Sequence, residues 1–289
     1  MLAHATYTRR VPATQIAQNL AFIIWTVLTG LALGSFGAVV LLRRRTSATS
    51  GFLGFTSVCA LGFGFLAWLS DGALPTTLGS SPVVIDPAWD APRRAALGLF
   101  CVLIVVAMVV RRVRPGAGRV VELAALAAGI AALIFGSLAW GDGGLGVAGL
   151  LLQLAVLAAA TGGVFAAMIL GHWYLVTPKL PEGPIILLAR ILLGVLLVQV
   201  VLFVVWQATG AGPADVGPFA SLVGPWALFV WLRLIIGLIF PLVVSLAAVQ
   251  TARTRSMEST TGLLYINVGT IAAGTILAAG LYFGAGLLV

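Results

Sequence analysis

Eight stretches of roughly twenty apolar residues dominate the chain, at 19–42, 51–69, 95–110, 120–140, 147–172, 184–206, 226–250 and 261–287. A bilayer hydrocarbon core about 30 Å thick is crossed by about 20 helical residues. Backbone N–H and C=O groups find no water there, so each stretch must satisfy its own backbone as a helix. The pattern predicts an all-α fold: a polytopic integral membrane helical bundle, read as one transmembrane domain over residues 1–289. Charged residues make up 8% of the chain and the mean hydropathy is +1.14. Soluble domains carry about 25% charged residues. The longest non-apolar stretch, 70–94, is too short to bury a core of its own.

A net charge of +8 would suggest nucleic acid in a soluble protein. Here the arginines gather at helix ends, where they set topology instead, and no nucleic-acid partner is expected. Loops 43–50, 111–119, 173–183 and 251–260 hold ten cations: Arg43, Arg44, Arg45, Arg111, Arg112, Arg114, Arg119, Lys179, Arg253 and Arg255. The opposite side holds four, Arg9, Arg10, Arg93 and Arg94, with the acids Asp71, Asp86, Asp90, Asp142 and Asp215. Positive charge stays in the cytoplasm, so both termini are expected outside a bacterial-type cytoplasmic (inner) membrane. Trp68, Trp140, Trp206 and Trp226 all fall at the outward helix ends, as an interfacial belt requires. Arg9 and Arg10 mimic the start of a signal peptide, but the apolar run that follows is too long for one and is read as a retained span.

A weak internal repeat links the first two hairpins. Phe63-Gly-Phe-Leu-Ala-Trp68-Leu-Ser-Asp71-Gly72 closes span two, and Phe135-Gly-Ser-Leu-Ala-Trp140-Gly-Asp142-Gly143 closes span four. Both hairpins run the same way, unlike the inverted repeats of many transporters. Gly30-x-x-x-Gly34 and Gly280-x-x-x-Gly284 have the spacing that lets helix backbones approach. Pro241 removes a hydrogen bond within span seven and should kink it.

Two arginines lie well inside spans, Arg190 in the sixth and Arg233 in the seventh. An arginine deep in a bilayer costs about 2.5 kcal/mol or more, so it normally faces the bundle interior and has a partner. Arg190 is expected in a cytoplasmic-side polar pocket between spans four, five and six, with Glu122, His172 or a bound lipid or quinone head group. Arg233 is expected to face a cavity, paired with Asp71, Asp142 or a ligand oxygen. The run Gly171-His172-Trp173-Tyr174-Leu-Val-Thr-Pro-Lys179 concentrates polar and aromatic groups at one membrane surface. Such groups can bind a quinone carbonyl, relay a proton or anchor a helix. Ligand-binding candidates are therefore Arg233, Arg190, His172, Trp173, Tyr174 and Glu122. No metal site is expected. His4 stands in the N-terminal tail, so a haem could take one face from His172 only with a ligand from another chain. Gln153, Gln199, Tyr265, Asn267, Thr270 and Thr275 read as interhelical glue. No acid lies near a span centre, where cation-coupled pumps usually carry one. Walker, His-Glu-x-x-His and nucleophile-elbow motifs do not occur.

The first span, Ile24-Trp25-Thr-Val-Leu-Thr-Gly30-Leu-Ala-Leu-Gly34-Ser-Phe36, resembles the opening helix of the quinone-reactive membrane anchors of polysulfide and dimethyl sulfoxide reductases. The resemblance covers this segment and the number of helices. It implies eight spans, outward termini and no resident cofactor, and it carries over no site residue. The expectation is a subunit without a catalytic centre of its own in a respiratory or photosynthetic electron-transfer complex. Such a subunit binds quinone or lipid and docks cofactor-bearing partners. A transporter or channel for a small anionic or neutral solute and a membrane assembly scaffold stay open as alternatives.

Overall fold

A computed structural model describes residues 12–78, 81–177, 179–214 and 216–289. His4, Arg9, Arg10, Pro178 and Asp215, named above, lie outside these described residues. The described chain is helical and contains no strand. A short helix α1 (Pro12–Gln18) precedes α2 (Leu20–Arg45), α3 (Ser50–Asp71), α4 (Asp90–Val113) and α5 (Pro115–Trp140). Then follow α6 (Gly143–Val176), α7 (Gly183–Thr209), α8 (Ala227–Leu234), α9 (Phe240–Arg253) and α10 (Met257–Ala285). A π-helical turn, Ile235–Ile239, joins α8 to α9, so together they form one span. Eight helices are long and apolar enough to cross a membrane, and the protein is an integral membrane bundle.

α2 and α6 are the central pair, each with 67% of its most apolar window buried against other helices. Glycine permits their contact. A methyl group on Gly34 would collide with the Ala158 carbonyl, and one on Gly162 with the backbone at Ser35. The first small-residue motif therefore brings two backbones together as expected. The second does something else: Gly280 and Gly284 make room for the side chains of Ile16 and Trp226.

The two faces of the bundle differ in their loops. On the arginine-rich face the connections are short. Arg114 alone separates α4 from α5, with Pro115 in the first helical turn where its missing N–H leaves nothing unpaired. On the face that holds both chain ends, the longer loops fold back onto the helices. Asp86 N–H donates to the Ala139 carbonyl at 2.8 Å, Phe219 N–H to Gln207 at 2.7 Å, and Ala214 N–H to Gly286 at 3.2 Å. Asn19 ties the chain ends together, its Nδ2 donating to the Phe283 carbonyl at 3.0 Å. Below, this side is called the terminal face.

Two of the four tryptophans expected in an interfacial belt are core residues instead. Trp140 is fully buried and Trp206 nearly so. Trp140 meets Trp25 edge-on at 4.9 Å and Phe283 at 5.3 Å, while Tyr282 Oη donates to its carbonyl at 2.6 Å. The long terminal-face loops cover these helix ends and take the place of lipid headgroups.

Candidate functional site

Among the described residues, the buried charged side chains form three separate centres. The largest polar assembly on the terminal face is built around Arg93, which the sequence reading placed in a loop. α4 starts at Asp90, five residues before the expected span, and this carries Arg93 into the helix interior. Arg93 is 1% exposed. Its Nε donates to Asp71 Oδ2 at 2.7 Å and its Nη1 to Asp90 Oδ1 at 2.9 Å. Trp25 Nε1 donates to the same Asp71 oxygen at 2.8 Å. The guanidinium also stands 4.6 Å from the centre of the Trp140 ring. An arginine buried this deeply requires a full set of such partners, and the cation–π contact adds about 1–2 kcal/mol when desolvated.

The two copies of the repeat thus meet at one place but play different parts. From the first, Asp71 is buried and receives Arg93 and Trp25. From the second, Trp140 supplies the ring, while Asp142 is exposed at the start of α6 with φ of 44°. A cavity of about 230 Å³ opens beside the centre, walled by Phe22, Trp140, Ile85, Leu74 and the Asp71–Arg93 pair. Arg94 also lines it. Its guanidinium lies 4.6 Å from the Trp68 ring centre and makes no hydrogen bond or ion pair among the described residues. Its five N–H donors are therefore available to an oxygen in the cavity. No signal in the sequence distinguishes Arg93 and Arg94 from topology-setting loop cations. The useful hint is Asp71, three residues after the helix-closing Trp68.

The second centre surrounds Arg233, and its environment corrects the expectation. Arg233 is 2% exposed, pairs with neither Asp71 nor Asp142, and lines none of the described cavities. Its Nη2 donates to Gln199 Oε1 at 2.7 Å and its Nη1 to the Gly237 carbonyl at 3.1 Å. Gln199 in turn donates to the Val156 carbonyl at 3.0 Å. The reason lies in the kink. Pro241 has no N–H to offer the carbonyl four residues earlier, which is that of Gly237. Arg233 supplies the missing donor from the same span. Gly274 lets α10 press against this turn, since a methyl group on Gly237 would stand 2.6 Å from the Gly274 Cα.

The third centre is Glu122 on the arginine-rich face. It is 3% exposed and paired with Arg43 and with Arg111, the latter at 3.2 Å. A cavity of about 600 Å³ adjoins it, lined also by Arg112, Thr46, Ser57 and Phe36.

The expected pocket of Arg190, Glu122 and His172 does not form. Arg190 and His172 are both exposed on the outside of their helices, and Glu122 is occupied by Arg43 and Arg111. Arg190 avoids the cost of burial because it stands roughly 9 Å from the start of α7 at 1.5 Å per residue. From there its long side chain can reach the membrane surface. The His-Trp-Tyr run also disperses, because successive helical residues point about 100° apart. Trp173 packs over Gly51, and Tyr174 is buried with its hydroxyl donating to the Pro181 carbonyl.

The expected glue residues largely act as glue. Asn267 Nδ2 donates to Ser245 at 2.8 Å, and Thr161 and Thr275 share a hydrogen bond of 2.7 Å. Gln153 Oε1 accepts from the Val289 N–H at 3.1 Å. Tyr265 is exposed, and Thr270 bonds within its own helix. Among the described residues no group of three or more His, Cys, Asp or Glu side chains is placed to hold a metal ion. No protein-family model matches this sequence, and no curated protein is significantly similar to it.

Proposed function

We propose that this protein is a non-catalytic integral membrane subunit of an electron-transfer complex, binding the head group of a quinone in the terminal-face cavity. The observation that carries this reading is the Arg94 guanidinium, without a hydrogen-bond or ion-pair partner among the described residues, lining a small space beside the fixed Asp71–Arg93 pair. Whole-ligand pockets usually measure about 300–1,000 Å³. A space of about 230 Å³ suits a single-ring head group whose apolar tail lies outside it. Arg94 would donate to a quinone carbonyl, and Leu74, Pro75 and Ile85, which keep free surface at the cavity, would pack on the ring. Asp71 is engaged by three donors, two from Arg93 and one from Trp25, so its part is to hold Arg93 in place. On this reading the electron carriers belong to partner subunits, which would dock on the terminal face.

Arg233 weighs less for a solute site than the sequence suggests, because two of its three nitrogens are engaged by Gln199 and the Gly237 carbonyl, while its Nε is buried without a hydrogen-bond partner among the described residues. The proposal is tested by purifying the tagged protein from its native membrane in mild detergent. Co-purifying haem- or iron–sulfur-bearing chains together with extractable quinone are the expected result. Recovery of the protein alone, without quinone, would overturn it.

A further inference from the structure

The cavity on the arginine-rich face has a charge balance that the protein itself does not complete. Arg43, Arg111 and Arg112 line it against one acid, Glu122, leaving two positive charges in excess. Glu122 engages Arg43 and one nitrogen of Arg111. Arg43 Nε is buried without a hydrogen-bond partner among the described residues. Arg112 makes no hydrogen bond or ion pair among them and is exposed at the rim. The nearby hydroxyls do not answer the guanidiniums: Thr46 donates to the Leu42 carbonyl and Ser57 to the Leu53 carbonyl, at 2.7 Å each. Deeper in, the walls become apolar at Phe36, Leu53 and Met108. A cavity of about 600 Å³ with cationic donors at its mouth and an apolar floor has the profile of an amphiphile site.

We propose that this cavity binds a phosphate anion, and that the phosphate is the headgroup of an anionic membrane lipid whose chain begins on the Phe36–Met108 wall. Guanidinium forks match phosphate oxygens in geometry and charge. Glu122 holds Arg43 and Arg111 together, and the ligand takes the donors that Glu122 leaves free. The site is separate from the terminal-face cavity and does not depend on the quinone reading.

Native mass spectrometry of the detergent-solubilised full chain would test it, with phosphatidylglycerol, phosphatidylcholine and inorganic phosphate as probes. Phosphatidylglycerol should be retained at least about tenfold better than phosphatidylcholine, whose phosphodiester is the same but whose choline cation meets the two excess positive charges of the cavity. Arg43→Gln with Arg111→Gln should remove that preference. Arg112→Gln, at an exposed position where folding is not at issue, should weaken it about threefold. Glu122→Gln should strengthen it, because the like charge facing the phosphate is gone. Competition by inorganic phosphate at concentrations that leave phosphatidylcholine binding unchanged would identify the free ion as the ligand and overturn the lipid assignment. Equal retention of both lipids, or a preference unmoved by Arg112→Gln and Glu122→Gln, would overturn the site altogether.

Discussion

The buried pair Arg93–Asp71 and the exposed Arg190 make opposite demands on the bundle, and substitution should separate them. Arg93 and Asp71 have side chains that are each 2% exposed. Removing one member strands the other, which costs about 3–5 kcal/mol. Arg93→Leu should therefore lower the thermal midpoint in detergent sharply, with Asp71→Asn close behind. Arg190→Leu, on the outer surface, should leave the midpoint unchanged. Equal midpoints for the Arg93 and Arg190 variants would show that the Asp71 pair does not hold the terminal face together. The sequence marked Arg190 and Arg233 because they interrupt apolar runs. It could not mark Arg93, because a cation three residues past a helix start looks the same whether the helix begins at Asp90 or at Ala95. The deciding contact, Asp71 with Arg93, spans two helices and a loop, and no local pattern encodes it.

At the scale of an element, the seventh span shows how a helix interruption is repaired from within. Pro241 was legible as a kink, and Arg233 as a buried cation, but their connection through the Gly237 carbonyl was not. It depends on the π-helical turn at Ile235–Ile239, whose extra residue per turn changes which side chain reaches which carbonyl. Arg233→Leu should cost about 2 kcal/mol or more, since it leaves the Gln199 and Gly237 oxygens unpaired in apolar surroundings. Adding Pro241→Ala restores a backbone N–H for the Gly237 carbonyl and should recover at least about 1 kcal/mol of that loss. A double variant no more stable than Arg233→Leu alone would refute this coupling. The α2–α6 contact makes a simpler demand. Gly34→Val meets the Ala158 carbonyl and should cost about 1–3 kcal/mol by overpacking, seen as a lower midpoint and yield.

For the whole molecule, the eight spans were readable because apolar length alone defines them, with boundaries shifted by a few residues where loops fold onto helix ends. The distribution of function was less readable. The cluster His172-Trp173-Tyr174 is compact along the chain but splayed around a helix, whereas Arg94, Trp140 and Phe22 are far apart in sequence and share a wall. We propose that the arginine-rich loops face the cytoplasm, from the charge asymmetry alone. With Cys59 and Cys101 replaced by alanine, a cysteine at exposed Thr76 should react with an impermeant maleimide from outside, and one at exposed Ser47 only after permeabilisation. The reverse pattern would place the terminal face in the cytoplasm.

The account rests most heavily on Arg94 as the free donor of the terminal-face cavity. Titration of the purified protein with a short-chain benzoquinone, followed by quenching of tryptophan fluorescence, tests it directly. The wild type should bind saturably, and Arg94→Gln should bind about tenfold more weakly, the loss expected for one hydrogen bond from a charged donor. Its thermal midpoint should fall only slightly, because Arg94 has no hydrogen-bond or ion-pair partner among the described residues and loses only its contact with the Trp68 ring, worth about 0.5–1 kcal/mol at a partly exposed site. No saturable binding by the wild type, or equal affinity in the variant, would contradict the account.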